Sequence, residues 1–175
     1  MRLVRIGDKV ISRDRIIHVI DRMLELRAQG LSQQEVAEQL SVDRTVVSRL
    51  ETIGEVRKGK RIALVGFPVK NKQELVDIAN AEGLDFILLM TERERLDFAK
   101  SMNGVDLLNL VMSLIAQARE CDSVIFIGSD NRLKMVEALV GNNVIGVEIG
   151  SSPLHEDKYV DPDMIRDLIR SLKGQ

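Results

Sequence analysis

The spacing of hydrophobic positions changes once along the chain. Up to about residue 54 apolar residues recur every three or four positions, the mark of helices with one buried face. Ser12 opens the first, which runs to about Gln29 through Ile16, Ile17, Ile20, Met23, Leu24 and Arg27, with Gly30 as a left-handed stop. Ser32 followed by Glu35 is a capping-box pair and starts a second helix with Val36, Ala37 and Leu40 on one face. After a turn at Ser41-Val42, Asp43 caps a third helix in which Val46 or Val47, with Leu50, faces back toward the second. Residues 1–10 alternate loosely and read as a short strand or an arm.

From Arg61 onward, unbroken apolar runs alternate with helical patterns. The runs 62–67, 86–90, 124–128 and 144–149 read as strands, and helices fit near 71–82, 92–102, 105–119, 130–140 and 162–173. Strands without polar alternation are buried on both faces, which implies a parallel sheet between helical layers. Right-handed crossovers then give a small doubly wound, Rossmann-like α/β domain of about four strands, in the order 2-1-3-4. The helix at 105–119 carries Leu107, Leu108, Leu110, Val111, Met112, Leu114, Ile115 and Ala118, apolar over most of its circumference. One sheet covers one face of such a helix, so a second subunit is the natural cover for another.

In the paired helices, Ala37 lets two backbones approach and Val42 plugs the corner, which leaves Arg44, Thr45, Ser48 and Arg49 facing outward. Arginine presents forked donors suited to guanine edges or phosphates, and the two hydroxyls bond either. Gln33 stands where it can touch a phosphate and brace the following helix. At these residues the stretch Leu31–Glu51 resembles the helix-turn-helix of the Xre/Cro-like bacterial transcriptional regulators. The resemblance covers about 20 residues plus the preceding helix, and it implies binding of double-stranded DNA by a sequence-specific regulator. Ser41 departs from the glycine usual in that family at the left-handed turn. The relatives' further helices are also missing, since a strand follows almost at once.

Charge fits this division. The whole chain has a net charge of −2, but residues 1–60 hold 12 Lys and Arg against 9 Asp and Glu, leaving 13 against 18 in the remainder. The domains expected are therefore 1–54 for DNA, a basic connector at 55–60 containing Arg57 and Lys58, and the α/β domain at 61–175 for dimerisation and ligand sensing. Arg57 and Lys58 are candidates for phosphate contacts beside the recognition helix, or a solvated loop. A surplus of three charges suits a small contact shared by the two copies of a homodimer.

In open parallel sheets, ligands bind beyond the strand carboxyl ends. There the chain offers Lys70, Asn71, Thr91, Ser129, Asp130, Asn131 and Ser151, polar and close to helix starts, as candidates for a small anionic or polar effector. The same loops are also what any doubly wound domain needs to turn its chain. No G-x-G-x-x-G or G-x-x-x-x-G-K-[ST] occurs, so no cofactor is called for and no catalytic residue is assigned. His155-Glu156-Asp157 reads as a solvated turn. The rival reading is an enzyme acting on a phosphorylated or nucleotide-like metabolite, with the helices as accessory; another is a domain that only assembles. With no long apolar run or leader pattern, and Cys121 as the one cysteine, the expectation is a cytoplasmic protein with a structural thiol and no membrane partner.

Overall fold

A computed structural model describes residues 2–55, 59 and 61–174. They form two compact units, Met1–Glu55 and Val56–Gln175. The connector residues Arg57 and Lys58 lie outside the described residues.

In the first unit the ambiguous opening is an antiparallel hairpin of β1 (Leu3–Ile6) and β2 (Lys9–Ser12), turned at Gly7 with φ 57°. Three helices follow, α1 (Arg13–Ala28), α2 (Gln33–Leu40) and α3 (Arg44–Gly54). The expected caps are in place. Ser12 accepts from the Arg15 amide, Ser32 and Glu35 form the reciprocal box, and Asp43 accepts from the Thr45 amide. Their core is Met23, Leu26, Val36, Ala37 and Val47, with Val19, Leu31, Leu40, Val42 and Leu50 packed around it. Val47 is therefore the inward residue and Val46 is exposed. On α1 the inward row is half-buried Val19 with buried Met23 and Leu26, while Ile16, Ile17 and Leu24 stay exposed. The helix carries two neighbouring apolar rows, and the α2–α3 pair covers only one of them.

Ser41 has φ 52° and ψ 43°, the only non-glycine residue with positive φ among those described. Its amide turns back to Ala37 and Glu38, and the Val42 amide follows to Ala37 at 3.0 Å. This left-handed conformation crowds a side-chain Cβ, and glycine relieves the crowding. Ser41→Gly is expected to stabilise the unit by about 1 kcal/mol, read as a higher urea midpoint with an unchanged slope. An unchanged or lower midpoint would mean the serine is not strained there.

The second unit is a four-stranded parallel sheet in the order β4-β3-β5-β6, formed by β3 (Ile62–Gly66), β4 (Phe86–Leu89), β5 (Ser123–Gly128) and β6 (Val144–Glu148). In the order of these strands along the chain this is the expected 2-1-3-4. The register pairs Leu64 with Ile87 and Ile125, so alternate residues of all strands share a face. On one face Ile62, Leu64, Ile125, Ile127 and Leu89 meet α4 (Lys72–Ala81) and α8 (Pro162–Lys173), which supply Leu75, Ile78, Ile165, Ile169 and Leu172. This side is densely filled. On the other face the buried cluster is only Ala63, Val124, Ala118 and Cys121, from the sheet and the end of α6 (Gly104–Arg119). α5 (Glu92–Ser101) and α7 (Asp130–Val140) complete that side. Among the described residues no helix is long and apolar enough to cross a membrane.

Candidate functional sites

The outward surface of the first unit is built on α3. Residues 44, 45, 48 and 49 are neighbours one turn apart on one side of the helix, with Val47 and Leu50 on the other. Arg44, Thr45 and Arg49 are exposed and Ser48 is half-buried. Thr45 is partly committed: its hydroxyl donates to Asp43 Oδ1 at 2.8 Å beside its own amide at 2.9 Å, so only its oxygen remains to accept from a ligand. Those two donors hold the Asp43 carboxyl below the ordinary carboxylate range, the amide more than the hydroxyl. A carboxylate already sits at the start of α3, and the side chains, rather than the helix terminus, are what this surface presents to an anion.

Behind this surface is a device that hydrophobic periodicity does not reveal. Glu51 accepts from Arg27 Nε with one oxygen and from Gln33 Nε2 at 2.7 Å with the other, while Arg27 Nη1 donates to the Leu31 carbonyl. One carboxylate thus ties α1, α2 and α3 together and fixes the tilt of α3. The Arg27 bond first, then Gln33, lowers the Glu51 pKa. Gln33 braces the helix as expected, with one amide proton spent on doing so. Arg27 and Glu51 were detectable only as charged residues at core-facing positions: Glu51 lies one turn beyond Val47, and Arg27 one turn beyond Met23.

In the second unit, most polar groups at the strand carboxyl ends are already occupied by the chain. Asn71 Nδ2 donates to Glu74 and to the Val160 carbonyl, and its Oδ1 accepts from the Val160 amide at 3.0 Å. The backbone of Lys70 pairs with Lys158, leaving the exposed side chain free of that role. Thr91 and Glu94 form a capping box for α5. Ser129 is fully buried with its hydroxyl 2.6 Å from that of Ser152, and Asp130 Oδ1 accepts from the amides of Ser152 (2.7 Å) and Asn131 (2.8 Å). These amides, Ser152 first, hold the Asp130 carboxyl low. Its negative charge stands at the start of α7, where a bound anion would have to sit. Ser129 and Asp130 are thus brought together with Ser152, whereas Ser151 and Asn131 lie exposed at the surface.

Asp157 does more than a solvated turn would require. Its Oδ1 accepts from the Glu92 amide at 2.7 Å, joining the loop after β6 to the start of α5. Glu92 in turn forks Arg95, accepting from Nε at 2.9 Å and Nη2 at 2.6 Å, and the Arg95 bond dominates the lowering of the Glu92 pKa. Nearby, the Arg132 guanidinium stacks 5.2 Å from the centre of the Phe67 ring, which meets Phe126 edge-on at 5.7 Å. Cys121 is buried, and that burial pushes its thiol pKa up, away from a reactive thiolate. The chain matches no family model, no curated protein and no solved structure.

Proposed function

We propose that this chain is a sequence-specific DNA-binding transcriptional regulator acting as a homodimer, with α2 and α3 forming a helix-turn-helix of the Xre/Cro-like kind. The observation that carries this reading is the outward strip of exposed Arg44, Thr45 and Arg49 with half-buried Ser48, on a helix anchored from behind by buried Val47 and the Glu51 fork. A helix that reads base edges must hold one orientation in the major groove, because displacing a side chain by an ångström forfeits a hydrogen bond. Arg27, Gln33 and Glu51 supply that rigidity. Arg49 is assigned the forked contact to a guanine, and Arg44 a base or phosphate contact at the helix start.

The experiment is selection of bound fragments from random duplex DNA by the full chain, followed by binding of the selected site and of random DNA to Arg49→Ala. The variant should lose about 1–3 kcal/mol on the selected site and little on random DNA, because a base contact carries the discrimination. Equal losses on both would remove Arg49 from base reading. If selection enriches no sequence, the regulator reading falls.

A further inference from the structure

The looser side of the sheet holds an apolar pocket, partly open to solvent, of about 380 Å3. Val65, Leu88 and Phe126 of the strands form its floor and Val111 and Ile115 of α6 part of its roof. Val111 lines the cavity and is also exposed, so the space is reached from solvent. Its volume lies within the range of small-molecule sites, about 300–1,000 Å3. A cavity of about 150 Å3 with similar lining takes up benzene, so this one has room for an apolar body of about ten carbons.

One feature of the lining is not apolar. Arg95 is the only charged or polar side chain among the described lining residues, and it is half-buried. An arginine has five N–H donors; Glu92 takes two of those of Arg95, leaving three. The Phe67 ring, also part of the lining, carries the guanidinium of Arg132 on it, and that cation and Arg95 repel one another. Arg95, with donors to spare, and the charge of Arg132 on the Phe67 ring favour a negative head on an apolar body.

We propose that this cavity is a binding site for an amphipathic monocarboxylate, a medium-chain fatty acid or an aryl acid of similar bulk, whose carboxylate takes the remaining donors of Arg95. The site is distinct from the polar loops at the strand ends, and it is independent of the DNA reading: binding is measured without DNA, so either can fail alone.

The test is calorimetric titration of the full chain with decanoate, with 1-decanol as the uncharged probe. Decanoate should bind saturably, one per chain, and about tenfold more tightly than the alcohol. Arg95→Gln should remove that advantage without changing the affinity for 1-decanol. Glu92→Gln, which frees the two donors now taken, should tighten decanoate several-fold. Val111→Trp, filling the cavity from its exposed edge, should abolish both. The proposal is overturned if wild-type protein binds neither probe saturably, or if acid and alcohol bind alike. Should Arg95→Gln fail to fold, an unchanged decanoate affinity in Glu92→Gln overturns the assignment of Arg95.

Discussion

Val47→Asp is expected to abolish the cooperative folding of α1–α3, while Val46→Asp, one residue away, leaves it within about 0.5 kcal/mol of wild type. Val47 is fully buried against a core of only four other buried residues, Met23, Leu26, Val36 and Ala37. A carboxylate there loses its apolar contacts and finds no partner for its charge, at a cost of about 3–5 kcal/mol. A unit of 55 residues has little stability to lose, because small units bury a small share of their surface. Hydrogen exchange reads the result directly: amides of α1, α2 and α3 should lose protection together in Val47→Asp and keep it in Val46→Asp. Selected-site DNA binding should disappear with that protection. The reverse ranking of the two variants would mean that α3 is rotated by about one residue, which would swing the whole strip of Arg44, Thr45, Ser48 and Arg49 round by about 100°.

The residue pair 46 and 47 also marks what can be read from a single chain. Period 3.6 establishes that a helix has an apolar side but leaves adjacent rows unresolved, as it does for Ile16 and Leu24 against Val19 and Leu26 on α1. The parallel sheet was legible down to strand order, because continuous apolar runs and handed crossovers leave few arrangements. The caps at Ser12, Ser32 and Asp43 were legible too, since each joins groups within three residues. Interactions closing long loops were not. Asn71 clamps a segment 89 residues away and Asp157 one 65 residues away, and nothing local distinguishes either from a solvated polar residue. The cavity was equally hidden, because an apolar side chain facing a void has the same pattern as one facing a core. For the candidate loop site this matters most: Asn71, Ser129 and Asp130 have the residue types that bind polar ligands, but their bonding capacity is largely spent on holding the loops together.

Met112→Asp is expected to turn a dimer into folded monomers that bind DNA poorly. α6 uses Leu107, Val111, Leu114 and Ala118 to line the cavity, which leaves a second row, Val105, Leu108 and Met112, exposed at 68%, 61% and 59%. The three are spaced three and four apart, so they form one stripe. In the proposed homodimer this stripe is the surface assigned to association. In a two-fold interface every substitution occurs twice, so a charge costing about 1.5–2 kcal/mol per copy weakens the dimer by about 3–4 kcal/mol, more than a hundredfold. Two copies would read half-sites about 34–36 Å apart, and a monomer forfeits one of them. Light scattering at micromolar concentration decides the matter. A monomeric wild type would sink the model, and a Met112→Asp protein that melts early would make α6 core instead of interface. The hairpin supplies the control, since Leu3, Val4, Ile6 and Val10 are exposed on strands too few to be stable alone. Ile6→Asp should leave the dimer intact; if it dissociates the protein while Met112→Asp does not, the copies join through β1 and β2 and the outer stripe of α6 has another partner.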